Sequence, residues 1–535
     1  MLPAFSLRPL GCCKKVLLVL LYPACCLAGG ADSPLDEAGA RAWLNRFGYG
    51  ADSASLNRSI GKTPRQLIQQ ALHQPSYYPA SLLAATANSP ANTPLSQLWP
   101  RYGPGGSEQM DQPARRQPEG AEVQRSQREV DGRQLLHASV ELRLLESANA
   151  DNQAREALLN FWLNHFSIHG QKTITQFLTT DYTRQLAQAL QEDSFSALLK
   201  ASFFHPAMQV YLDNHRSVAP ESRFAQRASR RGEQLGINEN LARELLELHT
   251  LGLENGRTPY LQADVQALAR ILTGAGILNN RLPDNLRTAP GSWQQGYFFF
   301  DPNRHDFGEK TLLDQHYPAG QGIEEIHRAL DQLARHPATA RHITTKLARR
   351  FLADDPPERL INAMSQAFLN SHGRISASLQ PLLDSPEFTQ SLLAPRKFKE
   401  PLDYLLSAAR AACDGRPIQN GRLLAHTAQD AGQAPFMRST PDGYGSQESD
   451  WLSAPAMSKR IRVAQALANG QMALAGQPGD SEGKQRDPSA FCHPDPNTFA
   501  RLIGPLSPAS QATLSGLSPR EANTARLASP EFMRR

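Results

Sequence analysis

Apolar residues recur every three or four positions along most of the chain from Leu135 onward, and this spacing restricts the fold more than any other feature. In "NQAREALLNFWLNHFSIHG", Leu158, Phe161, Trp162 and His165 form one such stripe. Only "GYFFFDP" resembles a strand. The pattern predicts an all-α fold, a mainly helical bundle or orthogonal arrangement with long irregular loops and at most a few short strands.

The first 28 residues differ in composition from the rest. Arg8, Lys14 and Lys15 precede the apolar run "VLLVLLYPACCLA", which is too short to span a bilayer but suits the core of a signal peptide. We expect residues 1–28 to direct export, to the periplasm or outside the cell. Removal of its three basic residues lowers the formal net charge of +5 by three, so the balance of charge does not indicate a nucleic-acid partner.

Four of the six cysteines lie in this leader, which leaves Cys413 and Cys492. In an oxidising compartment these two could form a disulfide, although two buried free thiols would fit the sequence nearly as well. The residues before Cys25 and Cys26 match a lipid-attachment site poorly. No later stretch reaches 18 apolar residues, so no membrane span is expected once the leader is removed.

Composition divides the remaining chain into four parts. Residues 29–83 form an N-terminal helical segment, in which Thr63 and Pro64 mark a helix start. Residues 84–134, rich in Pro, Gly, Gln and Arg, are predicted to be disordered or an exposed loop. Residues 135–470 form the main helical body, and residues 471–535 are predicted to be a linker and tail of low order.

The segment "FFFDPNRHDFGEK" is the strongest candidate site, because it is polar, shaped by Pro and Gly, and flanked by ordered elements. His305 could act as a base or ligand, with Asp301 or Asp306 orienting it and Lys310 holding an anionic group. The spacing fits neither an EF-hand nor a P-loop. The alternative is a loop whose Asp and Asn side chains bond its own backbone.

A second candidate lies in "NENLARELLELHTLG", where Asn238 is a suitable helix cap. Glu244 falls near the edge of the apolar stripe, so burial could raise the pKa of its carboxyl for proton transfer. His249 lies close to Leu245 and Leu246. An ion pair with Arg243, or with an arginine on another helix, is the structural alternative.

His165 and His169 are four residues apart, which on a helix would place both rings on one face as ligands for a divalent metal. The Glu of the helical zinc-hydrolase motif is missing between them. A core histidine bonded to a backbone carbonyl would look the same at position 165.

Several collinear motifs resemble those of DUF1800, a family of uncharacterised bacterial proteins. They are "LNRFGYG", "FWLNHF", "HPAMQVYLDN", "NENLARELLELHTLG", "FDPNRHDFGEK", "HPATARHITTKLARRF", "LLDSPEF" and "WLSAPAMSKRI", spread over roughly residues 36 to 470. Two positions depart from the family pattern: Leu163 stands where a histidine is common, and Tyr444 follows Gly443 where tryptophan is common. The first departure argues against a ligand role at that position.

The resemblance implies an exported, largely helical protein and a possible partner of the DUF1501 family, whose fold resembles alkaline phosphatase. The chain lacks the Gly-x-Ser-x-Gly, Cys-x-x-Cys and Gly-x-Gly-x-x-Gly motifs, which argues against a serine hydrolase, a zinc ribbon and a nucleotide oxidoreductase.

The leading hypothesis is an extracytoplasmic enzyme whose cleft forms where the Asn238 helix, the "FWLNHF" helix and the 300–310 loop meet. Acid/base or metal-assisted chemistry there would use His305, Asp306, Glu244 and Lys310 as catalytic groups. Residues expected to contact the ligand are Asp301, Asn164, His249 and Asn238. The alternative is a non-enzymatic binding or assembly module of the cell envelope that acts with a partner protein, its polar residues forming a buried network.

Overall fold

The computed structural model describes residues 30–105, 121–253, 256–282, 284–477, 487–493 and 495–535. The helices of the first half are α1 (Glu37–Arg46), α2 (Ser53–Ser59), α3 (Pro64–His73), α4 (Ala80–Thr86), α5 (Leu95–Tyr102), α6 (Ala121–Asn149), α7 (Gln153–His165), α8 (Thr179–Leu190), α9 (Phe195–Phe203), α10 (Pro206–Tyr211), α11 (Arg223–Ser229), α12 (Asn240–Glu244) and α13 (Gln262–Ile271). Those of the second half are α14 (Asp284–Arg287), α15 (Ile323–Ala334), α16 (Pro337–Phe351), α17 (Glu358–Asn370), α18 (Ile375–Leu383), α19 (Pro386–Leu393), α20 (Pro401–Cys413), α21 (Gly421–Asp430), α22 (Glu448–Trp451), α23 (Ala454–Ala468), α24 (Pro496–Ile503), α25 (Pro508–Ala512) and α26 (Pro519–Ala528). The predicted all-α, mainly helical class is confirmed.

Strand structure among the described residues is limited to short segments, which are β1 (Ala275–Ile277), β2 (Trp293–Gln295), β3 (Phe298–Phe300), β4 (Lys310–Leu312) and β5 (Gln315–Tyr317). The predicted strand "GYFFFDP" supplies β3, the centre of an antiparallel sheet in the order β1-β3-β2. Phe300 pairs with both Ala275 and Trp293 across this sheet. The sheet therefore packs the aromatic run into the core and directs residues 301–309 toward β4.

Aromatic stacking joins the beginning of the described chain to its middle. The Phe47 ring stacks on Trp43 and on Phe351, each with ring centroids 4.3 Å apart. All three side chains are buried. Since such contacts join α1 to α16, the walls of a cavity near the end of α16 can come from sequence segments that are far apart.

The N-terminal helices match the prediction, with Thr63 capping α3 and Pro64 as its first residue. Residues 84–134 are not the continuous loop predicted, because α5 and the start of α6 lie within them. Leu95, Leu98 and Trp99 of α5 are buried, and this short apolar stripe was hidden by the surrounding Pro and Gly. Residues 106–120 lie outside the described residues.

Residues 471–535 are more ordered than their composition predicted. They contain α24, α25 and α26, each with proline at its first position and an Asp or Ser cap. Leu527 and Phe532 are buried. These short helices lack a long periodic run, so the caps were the usable sequence signal. The predicted leader, residues 1–28, lies outside the described residues.

Cys413 and Cys492 form a disulfide, with their Cα atoms 4.7 Å apart. This resolves the choice between a pair and two free thiols. The cross-link ties the end of α20 to residues 487–493, and the intervening chain includes residues 433–450. None of the helices within the described ranges is both long and apolar enough to cross a membrane.

Candidate functional site

The predicted 298–310 segment forms a buried polar network. The His305 ring lies between Phe300 and Phe307, with ring centroids 5.0 Å from each. Its Nδ1 donates to the carbonyl of Thr273 at 2.7 Å, and its Nε2 lies 2.9 Å from Oε1 of Glu325. His305 is only 3% exposed and Glu325 is fully buried. The ring is therefore fixed by its Nδ1 hydrogen bond, and its Nε2 faces the Glu325 carboxylate inside the protein.

Lys310 completes this network. Its Nζ lies 2.7 Å from Oε1 of Glu325 and also donates to the carbonyl of Asp306. The Asp306 carboxylate pairs with Arg270 at 2.7 Å. Burial opposes ionisation of Asp306, but the hydrogen bonds from Arg270 and the Gly308 N–H, together with the charge of Lys310, outweigh it and keep the pKa of that carboxyl below its usual value.

Asp301 plays the local backbone role that the alternative interpretation gave it. Its Oδ1 accepts from the backbone N–H of Asn303 at 2.9 Å and from that residue's side-chain amide at 3.0 Å. This is the Asx arrangement expected of a turn. The segment is thus held by ion pairs to Arg270 and Glu325 and by its own turn bonds.

The helix that starts near Asn238 contains an irregularity absent from the sequence prediction. The Asn238 Oδ1 accepts from the N–H of Asn240, and α12 is followed at once by a π-turn at Leu245–His249. Such π-turns often occur at functional sites. Here the turn leaves the carbonyls of Leu248 and His249 available to side chains from other helices.

Glu244 is half-buried just before the π-turn. Burial and the neighbouring Glu247 raise the pKa of its carboxyl above the usual value. Arg243 instead pairs with Glu239, at 3.1 Å. The expected rise in the pKa of Glu244 is therefore confirmed, and the alternative of an ion pair with Arg243 is not formed.

A cavity of about 360 Å³ opens beside the end of α7. Its lining comes from Tyr49, from residues between 160 and 168, from α16 between 342 and 350, from residues 400–403, and from residues between 433 and 450. We call it the Lys346 cavity. Of the predicted site residues, Asn164 and His165 line it; His305, Asp306, Lys310, Asp301, Glu244, Asn238, His249 and His169 do not.

His165 is a core histidine held by a backbone carbonyl. Its Nε2 donates to the carbonyl of His249 at 3.1 Å, and burial lowers the pKa of its ring well below the usual value. The prediction that His165 and His169 share a helical face is wrong, because α7 ends at His165. The chain turns away there as Phe166 accepts a hydrogen bond from Tyr182 and Gly170 donates one to Phe436.

His342 is held in a similar way from the opposite wall. Its Nε2 donates to the carbonyl of Leu248 at 3.0 Å, and burial lowers the pKa of its ring to about 4. The centroids of the His165 and His342 rings are 6.1 Å apart. Gly252 has a φ of +72°, and a Cβ built on it would come within 2.2 Å of Nδ1 of His342. The π-turn thus fixes two neutral histidines at one end of the cavity.

Lys346 lies one helical turn beyond His342 on α16 and lines the cavity. It is half-buried, and its ammonium makes no hydrogen bond or ion pair with the residues that the structure describes. Burial lowers the pKa of this amine to about 8, although the charge of Asp442 opposes the shift. Both the protonated and the neutral amine are therefore populated near neutral to mildly alkaline pH.

Other lysines withdrawn from solvent have polar partners. Lys310 meets Glu325, Lys397 meets Asp354, and Lys399 donates to Ser407 Oγ at 3.0 Å. Burying an amine without a partner is unfavourable. The absence of such a partner among the described residues indicates that Lys346 has a role in ligand binding more than in stabilising the fold.

Paired charges line the inner end of the cavity. Arg350 contacts Glu400 at 2.9 Å and Asp403 at 2.8 Å, and Arg535 lies 3.1 Å from Asp403. Burial opposes ionisation of Asp403, but the charges of Arg350 and Arg535 dominate and depress the pKa of its carboxyl. Gln433 donates to Glu400 at 2.6 Å. This end is polar but internally neutralised.

Asn164 fixes the part of the cavity wall that contains Gly443 and Tyr444. Its side-chain amide donates to the carbonyl of Tyr444 at 2.9 Å, and its Oδ1 accepts from the N–H of Tyr444 at 2.7 Å. Gly443 has a φ of +73°, and a Cβ there would come within 2.3 Å of the Asn164 carbonyl. Next to it, Arg438 pairs with Asp442 at 2.9 Å. Asn164 thus positions the wall through the backbone.

The cavity residues that the sequence prediction missed lie on one helix. His342, Lys346 and Arg349 are spaced by four and three residues in "HITTKLARR", so they share the face of α16 that meets the cavity. This spacing was a usable signal. No group of three or more His, Cys, Asp or Glu side chains suited to a metal ion occurs within the described ranges.

The model of the protein family described as "Protein of unknown function (DUF1800)" matches residues 42–534. The chain belongs to the DUF1800 family. The family match extends past the motifs noted in the sequence, through α24–α26, and includes every stretch that lines the Lys346 cavity. Neither a curated protein nor a solved structure shows significant similarity to this family member.

Proposed function

We propose that this protein binds a small anionic molecule in the Lys346 cavity and exchanges a proton with it through Lys346. The observation that carries the proposal is the amine of Lys346, which faces the cavity without a partner while the acidic groups at the inner end are paired. A volume of about 360 Å³ suits a small molecule.

Charge around the cavity supports an anionic ligand. Arg349, at the exposed side, makes no ion pair with the residues that the structure describes, so it and Lys346 offer two uncompensated positive charges. Asp442 is paired with Arg438, and Asp450 accepts from the N–H of Gln447 at the solvent-exposed rim. Solvent weakens the Asp450 charge more than that of a group inside.

Proton exchange is supported by the partly neutral amine. General acids and bases work best when their pKa lies near the working pH, and burial brings the pKa of Lys346 to about 8. His165 and His342, held neutral by burial, provide a polar surrounding that adds no competing charge. We therefore assign to Lys346 on α16 the acid/base role that the sequence suggested for His305.

Export remains part of the proposal. The Cys413–Cys492 disulfide supports it, since disulfides persist mainly in oxidising compartments. The alternative of an envelope module with a protein partner is supported by the network of His305, Lys310 and Glu325, which behaves as a structural support.

The proposed function is tested by thermal unfolding of the purified chain with inorganic phosphate, acetate and malonate at pH 7. We expect at least one anion to raise the melting temperature, and Lys346→Met to remove that response while Lys346→Arg keeps most of it. Lys62→Met is the control, because Lys62 is half-buried and bonds Gln70 away from the cavity. An equal response in Lys346→Met and the native chain would reject the site.

A further inference from the structure

The amine of Lys346 has the setting of a nucleophile as well as that of an anion contact. A lysine that only attracts an anion works best when it is fully charged, as an arginine always is. Arg349 lies three residues along the same face of α16, where side chains come about 5–6 Å apart at Cβ. Arg349 can therefore attract the anionic group while Lys346 supplies the reactive amine.

The cavity also protects a reactive amine from competing partners. Asp442, the acidic group whose charge acts on Lys346, is held by Arg438 through 2.9 Å and 3.2 Å hydrogen bonds. The histidines at this end donate Nε2 to backbone carbonyls rather than to the amine. The lowered pKa of Lys346 adds a neutral fraction able to attack.

We propose that Lys346 forms an imine with a small aldehyde or ketone that carries a carboxylate, such as an oxo acid. The Nζ lone pair adds to the carbonyl carbon, and the carbonyl oxygen leaves as water after it takes one proton from the attacking nitrogen and one from solvent. The C=N bond that remains is protonated, and the carboxylate lies toward Arg349. This inference rests on the proposed anion site, and it adds the carbonyl group to the ligand.

The test uses glyoxylate with sodium cyanoborohydride on the purified chain at pH 8, followed by peptide mass mapping. Reduction of the imine leaves a carboxymethyl group on the lysine that reacted. We expect Lys346 to be labelled at least about tenfold faster than Lys62, in line with an amine of lowered pKa held in a binding site. Arg349→Gln should slow labelling by glyoxylate but not labelling by neutral acetaldehyde.

Two outcomes separate the inference from the function on which it rests. If malonate stabilises the native chain but not Lys346→Met, while glyoxylate labels Lys346 no faster than Lys62, the anion site stands and the imine is rejected. If neither the malonate response nor selective labelling depends on Lys346, both are rejected. Lys346→Arg should keep the malonate response and lose the adduct at this position.

Discussion

Nζ of Lys310 lies 2.7 Å from Oε1 of Glu325, and both side chains are withdrawn from solvent. His305 approaches the same carboxylate oxygen. Glu325→Gln would leave buried Lys310 with the Asp306 carboxylate alone, which lies 3.9 Å away and is already paired with Arg270. We therefore expect the free energy of unfolding to fall by about 3–5 kcal/mol. Urea unfolding followed by circular dichroism measures this loss.

The matched control for that change is Glu324→Gln, because Glu324 is the exposed neighbour on the same helix turn. Its effect should stay within about 0.5 kcal/mol. If Glu325→Gln were as mild as the control, the network around His305 would not be a structural support.

Lys346→Met should stabilise the protein, and the gain should depend on pH. Burial lowers the pKa of Lys346 from 10.5 to about 8, so between these values the unfolded chain binds more protons than the folded one. The penalty is therefore complete below about pH 8 and disappears as pH rises toward 10.5. Because the residue is only half-buried, we expect a gain of about 2 kcal/mol at pH 7.

Urea unfolding at pH 7 and at pH 10, with Lys62→Met as the control, tests this prediction. The gain should shrink at the higher pH for Lys346→Met only. A difference that stays constant across pH would mean that the amine is not desolvated in the folded protein.

Gly443→Ala should damage the cavity wall. The φ of +73° strains any other residue, and the added Cβ would meet the Asn164 carbonyl at 2.3 Å. Gly415→Ala is the matched control, since Gly415 has a φ of +77° and nothing within 4 Å of its Cβ.

We expect Gly415→Ala to lower the free energy of unfolding by about 1 kcal/mol, and Gly443→Ala by at least about 2 kcal/mol more. The malonate response should weaken only in Gly443→Ala. Equal losses in the two variants would show that residues 443 and 444 are free to move away from Asn164.

Loss of the Cys413–Cys492 disulfide should destabilise the chain by about 4 kcal/mol, because the bond closes a long loop with a sequence separation of 79. The double Cys→Ser variant, unfolded in urea beside the oxidised and reduced native chain, measures the effect. The reduced chain should match the variant. Equal midpoints for the oxidised chain and the variant would contradict the prediction.

Local sequence signals predicted the helices well and the site poorly. The cap of α3 and the strand at Phe298–Phe300 depend on neighbouring residues, and both are confirmed. The prediction that His165 and His169 share one helical face failed because the chain leaves the helix after His165. It is held there by hydrogen bonds to Tyr182 and Phe436, which no local spacing reveals.

The role of His305 depended on burial that the sequence does not show. Glu325 belongs to an amphipathic helix, and only packing decides that its carboxylate points inward to His305 and Lys310. The Lys346 cavity was harder still, since its walls come from widely separated segments. The sequence shows that His342 and Lys346 share one face of α16, but it does not show that this face lines a cavity.

The distribution of those walls bears on how the protein can be produced. Tyr49 and Asp450 both line the Lys346 cavity although they lie far apart in the sequence, so the cavity cannot form before the chain has been synthesised through Asp450. A ribosome-bound intermediate that ends after α16 would expose the Lys346 face of this helix, because the wall formed by residues 400–450 would be missing. Shortened versions from either side should therefore be poor starting material for ligand screening, and full-length preparations are the ones to crystallise.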